Sequence, residues 1–298
     1  FQPFWILKKG FEIYQNESFD LITVHEYPPF YNGIGARMLW GKIKVPYVLE
    51  IFHIPGYPRA ADLKEKIYRR LFFSFIEYDC RKAKAVRVMN SQVAERLVDL
   101  GVPRTKVRLI PAIYVDLEVF KPMDLKKKYD LIFVGRLVKN KGIDLFLEAV
   151  KKSGLTAMIV GDGLLRDKVK SSIKKSGLKT DLVGWAKDSG EVARLLNQSR
   201  ILVMSSYNEG GPRVVVEAMA CGLPILATSV GIVADIMKNG QFGQIIEGNA
   251  KDIAGKANRI LADSSVYQKY SQTALEMSVG FEKKSAIENY AVKLKELF

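Results

Sequence analysis

Residues 201–228 read ILVMSSYNEGGPRVVVEAMACGLPILAT, and this one segment carries a strand, a turn, a helix and a second strand in succession. The apolar run ILVM leads through a polar turn into EGGP at 209–212. A helical pattern follows, and Gly222 and Pro224 end it before the apolar run ILAT. Pro212 suits the first helical position, where its missing N–H costs no helical hydrogen bond. The pattern predicts two parallel strands joined by a helix.

The start of this helix is a candidate ligand site. Its first amides lack partners within the helix, and Gly210 and Gly211 let the backbone approach a ligand closely, so a diphosphate is the expected ligand. Glu217 is placed to accept hydrogen bonds from a ribose diol, and Glu209 from the hydroxyls of a sugar beyond the phosphates. The alternative is an ordinary helix start with a surface glutamate. The Gly-Gly-Pro element and the helix exit EAMACGLP together favour the ligand site.

A second candidate element is residues 130–145, which read DLIFVGRLVKNKGIDL. A strand ends at Gly135, and Arg136 and Lys141 follow in the loop before the next helix. Two cations at the carboxyl end of a strand can neutralise a diphosphate leaving group, whereas the alternative is simple surface basicity. The chain has no Asp-x-Asp triplet and no zinc-ligand cluster, so we expect no metal and no cofactor.

Short apolar runs alternate with helical patterns along the whole chain, which predicts an α/β fold with doubly wound parallel sheets. Four strands are predicted in the first half, at Leu21–His25, Tyr47–Phe52, Ala85–Met89 and Val107–Ile110. Six are predicted in the second half, at Leu131–Val134, Ala157–Val160, Asp181–Val183, Ile201–Met204, Ile225–Thr228 and Gly243–Ile246. Six strand–helix units complete a Rossmann-like domain, and four leave its partner incomplete.

A proline and a lysine run without apolar periodicity mark residues 120–128, FKPMDLKKK, as the linker. We therefore divide the chain into an N-terminal domain, 1–122, and a C-terminal domain, 123–281. The last segment, 282–298, is an amphipathic helix.

The net charge of +14 is spread over both halves, since residues 1–128 hold 22 basic and 14 acidic side chains and residues 129–298 hold 24 and 18. A spread excess without a nucleic-acid-binding motif argues against nucleic acid as a partner. The densest basic stretch, 59–87, has nine basic against four acidic residues and is interleaved with aromatic ones. Such a helix can lie on an anionic membrane, and the alternative is a core-facing helix with a charged outer face.

Targeting signals are few. The first ten residues are apolar and then basic, the reverse of a secretory signal, and no run approaches the roughly 20 apolar residues that span a bilayer. Two cysteines fit a reducing cytosol. We expect a cytoplasmic protein, peripheral at the membrane face if the basic stretch binds lipid.

The chain resembles the retaining glycosyltransferases of family 4, which have the GT-B fold. The matching segments are FDLITVHE (19–26), VPYVLEIFH (45–53), NSQVAERLVDLGVPRTKVRLIPAIYVDLEVFKP (90–122), FVGRLVKNKGID (133–144), VGDG (160–163) and NEGGPRVVVEAMACGLPILATSVG (208–231). The resemblance implies two Rossmann-like domains facing a cleft, an acceptor-side domain at 1–122 and a nucleotide-sugar-binding domain at 123–281. It also implies that the helix at 282–298 crosses back to the N-terminal domain. It also implies a role in polysaccharide biosynthesis, with a UDP or GDP sugar as donor and a glycan or lipid-linked acceptor.

The resemblance also implies roles for individual residues. Catalytic positions would be Glu209, which contacts donor-sugar hydroxyls, and His53, near the transferring sugar. For His53 the alternative is a structural histidine. Arg136 and Lys141 would hold the diphosphate and Glu217 the ribose. The amides of Gly210, Gly211 and Pro212 would orient sugar and phosphates, and the segment with Gly184 and Trp185 would cradle the base. Transfer would be metal-independent and would retain the anomeric configuration, with the departing phosphate as base for a same-face attack.

One feature departs from the family. Its members begin with a glycine-rich loop after their first strand, and this chain has no such loop. We therefore expect an incomplete N-terminal sheet whose exposed edge invites self-association into a homo-oligomer.

Three functions follow from these observations. The first is an active retaining hexosyltransferase. The second is a non-catalytic protein that binds a sugar nucleotide or a partner on the same fold, which the absent loop favours. The third is a sugar-nucleotide epimerase, which rests on fold analogy alone.

Overall fold

The computed structural model describes residues 2–28, 30–237 and 240–297. The strands are β1 (Ile22–His25), β2 (Tyr47–Ile51), β3 (Ala85–Val88), β4 (Val107–Leu109), β5 (Tyr129–Val134), β6 (Ala157–Val160), β7 (Thr180–Gly184), β8 (Ser199–Met204), β9 (Ile225–Thr228) and β10 (Gly243–Ile246). The helices are α1 (Gln2–Asn16), α2 (Asn32–Ile43), α3 (Leu63–Arg81), α4 (Ser91–Asp99), α5 (Ile143–Ser153), α6 (Arg166–Ser176), α7 (Ser189–Asn197), α8 (Arg213–Ala220), α9 (Val233–Ile236), α10 (Ala250–Ala262), α11 (Ser264–Ser278) and α12 (Lys283–Lys295). Every predicted strand is present.

The chain forms two compact units, Phe1–Pro111 with Tyr290–Phe298, and Ala112–Asn289. The first unit holds a four-stranded parallel sheet in the order β1-β2-β3-β4. Strand β2 is buried along its whole length because helices cover both of its faces. On one face Tyr47, Leu49 and Ile51 pack with residues of α3 and α4, and on the other Val48 packs with Leu297.

A buried ion pair joins the middle of this sheet to the C-terminal helix. Arg87 Nη1 lies 2.6 Å from Glu50 Oε1, and the Arg87 side chain is 2 % exposed. Its guanidinium lies 4.4 Å from the ring centroid of Tyr290, whose hydroxyl is 3.3 Å from the same Glu50 oxygen. The described part of the C-terminal segment is therefore held by polar contacts as well as by apolar packing.

The second unit holds a six-stranded parallel sheet in the order β10-β9-β8-β5-β6-β7. Its first strand, β5, lies in the middle between β6 and β8, so the chain winds outward in both directions. This is the Rossmann strand order, and it places a topological switch point between β5 and β8. Ligands of such sheets bind in the crevice at the carboxyl ends of these strands.

The units divide at Pro111 and Ala112, whereas the sequence predicts a linker over residues 120–128. Phe120 is 2 % exposed within the core of the second unit. Asn197 accepts from Met123 N and donates to Lys121 O, both at 2.9 Å. The proline and lysines that suggest a linker thus lie in a segment fixed by side-chain hydrogen bonds, which local composition does not reveal.

The basic stretch 59–87 is divided between a helix and a strand. Helix α3 buries Phe72 and Ile76, and Arg87 lies in the interior of β3. In the part of the chain that the structure describes, no helix is both long enough and apolar enough to span a bilayer.

Candidate functional site

A cavity of about 710 Å³ opens at the switch point of the second unit. Its walls come from the ends of β5 and β8, the residue after β7 and the start of α8. Six of the predicted site residues line it, namely Arg136, Lys141, Trp185, Glu209, Gly211 and Pro212. Volumes between about 300 and 1,000 Å³ are typical of small-ligand sites. The sheet topology therefore brings together residues that lie far apart in the sequence.

The centre of the cavity is a contact between a cation and a carboxylate. Lys141 Nζ lies 2.5 Å from Glu209 Oε1, and the two side chains are 20 % and 11 % exposed. Ser206 Oγ donates to the same Glu209 oxygen at 2.7 Å. Solvent and salt screen the attraction between two half-buried charges less than that between two surface charges. The carboxylate is thereby fixed beside a cation, at the mouth of the switch point.

Lys141 is positioned by a close approach of two loops. Gly142 has φ +66°, and a Cβ placed there would lie 2.0 Å from the carbonyl oxygen of Ser205. Ser205 Oγ donates to Gly142 O at 2.9 Å, so the loop after β5 is bound to the loop after β8. Only glycine allows this approach, because any side chain would displace the Ser205 backbone. The Gly that follows Lys141 therefore sets the distance of Lys141 from the Glu209 loop.

Glu209 is held from the other side by the loop after β9. Ile232 N donates to Gly210 O at 2.9 Å. Gly231 has φ +58°, and a Cβ there would lie 2.7 Å from Glu209 O. The glutamate thus lies on a loop that neighbouring backbone fixes on both sides.

The start of α8 differs from the prediction by one residue. Pro212 is the N-cap, with φ −71° and ψ 101°, and the helix begins at Arg213. The assignment of a donor amide to Pro212 was wrong, because proline has no N–H. Arg213 and Val214 supply the first helical amides instead, and both residues line the cavity.

Glu217 lies next to the cavity lining rather than in it. Its side chain is 14 % exposed, and Arg213 Nη2 lies 3.7 Å from Glu217 Oε1. Burial raises the pKa of Glu217 above its usual value, and the charge of Arg213 acts in the opposite direction. The Arg213 guanidinium lies 4.9 Å from the ring centroid of Tyr114. The sequence analysis missed Arg213 and Tyr114. The Arg213–Glu217 pair was detectable, because opposite charges four residues apart on one helix lie next to each other.

The remaining predicted residues are placed as follows. Arg136 is exposed at the end of β5 and projects from the cavity wall. Trp185 is 64 % exposed, and Gly184, which precedes it, has φ +86°. His53 is half-buried in the first unit, two residues after β2 ends. Within the described residues no group of three or more His, Cys, Asp or Glu side chains could hold a metal ion.

Two parallel-sheet Rossmann-like units, one with a charged cavity at its switch point, define the GT-B class of α/β proteins. The model of the family described as Glycosyl transferases group 1 matches residues 117–277, and that of the Glycosyl transferase 4-like domain matches residues 5–112. Since the first match covers more than half of the chain, the chain belongs to the glycosyl transferases of group 1.

Individual relatives agree with this assignment. An uncharacterized glycosyltransferase of Methanocaldococcus jannaschii is 28 % identical over 280 residues, which are 92 % of this chain and 74 % of the relative. The N,N'-diacetylbacillosaminyl-diphospho-undecaprenol alpha-1,3-N-acetylgalactosaminyltransferase of Campylobacter jejuni is 23 % identical over 97 % of this chain and 81 % of its own length. The solved structure of Anabaena HepE with UDP has a TM-score of 0.80 at 18 % identity, covering 97 % of this chain and 82 % of that one.

Proposed function

We propose that the chain transfers a hexosyl group from a nucleoside diphosphate sugar to an acceptor hydroxyl, with retention at the anomeric carbon. The observation that carries the proposal is the contact between Lys141 and Glu209 inside the cavity. A donor of this kind has two features that differ in charge, a diphosphate and a ring of neutral hydroxyls. The Lys141 cation suits the diphosphate, and the Glu209 carboxylate suits the sugar hydroxyls. The two side chains meet where the bond between sugar and phosphate would break.

Most of the polar groups that line the cavity suit the diphosphate of the donor. Lys141 and Arg136 supply two positive side chains, and the amino end of α8 adds backbone N–H groups. As the C1–O bond to the β-phosphate breaks, negative charge grows on the departing oxygen, and these groups stabilise it. Their charge replaces that of a divalent metal, so we propose metal-independent transfer.

Glu209 would hold the donor sugar through its hydroxyls. The acceptor oxygen then bonds to C1 on the face that the diphosphate leaves, and the acceptor proton passes to the departing phosphate oxygen. Bond and proton changes balance with nucleoside diphosphate and glycoside as the only products. His53 remains a proposed catalytic residue, as a hydrogen-bonding group for the transferring sugar.

The donor base is proposed to be uracil, with guanine as the alternative. The support is the similar fold of Anabaena HepE, which was solved in complex with UDP. Trp185 exposes its ring at the cavity wall, where a base can stack on it. A thermal-shift comparison of UDP with GDP decides between the two bases.

For the acceptor we propose a lipid-linked glycan, because the Campylobacter relative is named for an undecaprenol diphosphate substrate. Helix α3 supports a membrane-surface location. Its exposed apolar side chains recur every three or four positions and so share one face. They are Leu63, Ile67, Leu71, Phe75 and Tyr78. Basic residues accompany them, namely Lys64, Lys66, Arg69, Arg70 and Arg81. An apolar face flanked by cations suits anionic lipid.

Flotation with vesicles of phosphatidylglycerol and phosphatidylcholine tests the membrane part. We expect binding at low salt that Leu63→Glu with Ile67→Glu abolishes. Leu164→Glu is the matched control, because Leu164 is 94 % exposed in the second unit and its loss disturbs no packing. Binding that is unaffected by the α3 substitutions would contradict the proposed surface.

Transfer itself is tested by proton NMR of an α-linked UDP-hexose incubated with the chain in the presence of EDTA. We expect an α-configured product, or slow release of free hexose where no acceptor is supplied. A β-configured product would contradict retention, and activity that EDTA abolishes would contradict metal independence. Nucleotide binding without any turnover would favour the non-catalytic alternative.

A further inference from the structure

Arg213 combines three properties. It is the first residue of α8, it lines the cavity, and its guanidinium is held between the Tyr114 ring and the Glu217 carboxylate. The distances are 4.9 Å to the Tyr114 ring centroid and 3.7 Å from Nη2 to Glu217 Oε1. The Arg213 side chain is 52 % exposed, so it approaches Tyr114 and Glu217 from the solvent side of α8.

The neighbouring carboxylate needs such a cation. Glu217 is 14 % exposed, and burial favours its neutral form, so its pKa is raised. Arg213 is the cation that opposes this shift. Among the described residues, the other titratable group that interacts with Glu217 is Cys221, the C-cap residue that follows α8. Burial raises the pKa of that thiol to about 12, so it stays uncharged. Lys127 interacts with Cys221 rather than with Glu217.

An ionised carboxylate is the better partner for a diol. It accepts two hydrogen bonds, and charge-assisted bonds are roughly twice as strong as neutral ones. A protonated Glu217 would offer one acceptor oxygen and one donor, and would bind a ribose less well. A cation that favours the ionised form of Glu217 therefore also favours hydrogen bonds from a ribose to it.

We propose that Arg213, braced by the ring of Tyr114, is a positioning residue that holds the Glu217 carboxylate ready for the donor ribose. The inference rests on the proposed function, because it takes Glu217 as the ribose partner. It assigns Arg213 no contact with the diphosphate. A cation at the cavity wall could instead touch phosphate directly, and the two roles predict different ligand dependence.

The test compares ligands that share the ribose and differ in the phosphates. Dissociation constants of uridine and UDP, or of the guanosine pair if that base binds, are measured for the native chain, Arg213→Gln and Arg213→Lys. We expect Arg213→Gln to weaken uridine and UDP by the same factor, about tenfold, as when the charge-assisted hydrogen bonds from the ribose to Glu217 become neutral ones. Arg213→Lys restores most of the affinity. If Arg213→Gln weakened the binding of UDP but not that of uridine, the inference would be overturned in favour of direct contact between Arg213 and phosphate.

Two further readouts separate positioning from general damage. The ratio of the native to the Arg213→Gln affinity should shrink as pH rises, because Glu217 ionises unaided at higher pH. The native preference for UDP over 2′,3′-dideoxy-UDP should also shrink in Arg213→Gln. Tyr114→Leu should reproduce a part of both effects, and Tyr114→Phe, which keeps the ring, should not.

The outcomes distinguish this inference from the proposed function. If the native chain binds neither nucleotide, the proposed function fails and the inference fails with it. If the native chain binds UDP and Arg213→Gln binds it equally well at every pH, the inference alone fails.

Discussion

Lys141 Nζ and Glu209 Oε1 are 2.5 Å apart, although 68 positions separate the two residues in the chain. The contact exists because β5 and β8 are neighbours in the sheet, so the loops that follow them meet at the same edge. It joins the two sequence elements that the sequence analysis assigned to one ligand site, the second of them only because the first was present. The proposed function depends on this pair more than on any other contact.

The first prediction concerns this pair. Lys141→Ala removes the cation that we propose stabilises the departing diphosphate, so kcat/KM should fall by about 10²-fold or more. Glu209→Ala should cause a comparable loss, and the double variant should lose less than the product of the two, because the residues act as a unit. Steady-state transfer kinetics measure all three. Lys139→Ala, in the same turn and exposed, is the control; an equal loss in that variant would point to loop damage instead.

The second prediction concerns Gly142. Gly142→Ala should lower the free energy of unfolding by about 2–3 kcal/mol and should reduce transfer, because the new Cβ clashes with Ser205 O and displaces Lys141. Gly154→Ala is a matched control, since Gly154 also has positive φ, at +70°, with nothing within 4 Å of the added Cβ. Gly154→Ala should lower the free energy of unfolding by only about 1 kcal/mol and should leave transfer unchanged. Urea unfolding of both variants measures the difference, and equal costs would refute the clash.

The third prediction concerns stability and pH. Glu26 and Asp79 are 3 % and 1 % exposed, and each has an oxygen without a hydrogen-bond partner. Burial raises the pKa of Glu26 to about 7. The pKa of Asp79 is raised to about 8, mainly by burial and in addition by the negative charge of Glu26. Above about pH 4 the unfolded chain releases protons that the folded chain keeps. The free energy of unfolding should therefore fall as pH rises from about 4 to about 8.

Urea unfolding at several pH values measures this slope. Asp79→Asn cannot ionise, so we expect a smaller slope in that variant. Asp99→Asn, at a side chain that is 64 % exposed, should leave the slope unchanged. A native chain whose stability rises over this window would contradict the assignment.

The fold was predictable because parallel strands leave a local signal. β6 and β9 are apolar at every position but the last of β9, since both of their faces are covered, and such runs stand out between helices. The site elements were predictable for a similar reason, as glycines and charged residues follow the strands directly. Arg136, Lys141, Glu209 and Trp185 all lie at the cavity.

The errors arose where long-range packing decides the structure. Phe120 looks like part of a linker until its burial in the second unit is known. Tyr114 lies 99 positions before Arg213, and nothing local to either residue indicates that the ring and the guanidinium meet. Glu217 was assigned to the ribose without the cation beside it, because a single sequence does not show which charges share a buried environment.

The central claim is that the cavity of the second unit binds a nucleoside diphosphate through Lys141. Thermal unfolding of the native chain and of Lys141→Ala, each with UDP, GDP or no ligand, tests it most directly. A ligand at 100 times its Kd stabilises the folded state by about 2.7 kcal/mol, which shifts Tm by a few degrees. We predict such a shift for the native chain with one of the two nucleotides and little or none for Lys141→Ala. No shift with either nucleotide, or the same shift in both proteins, would contradict the claim.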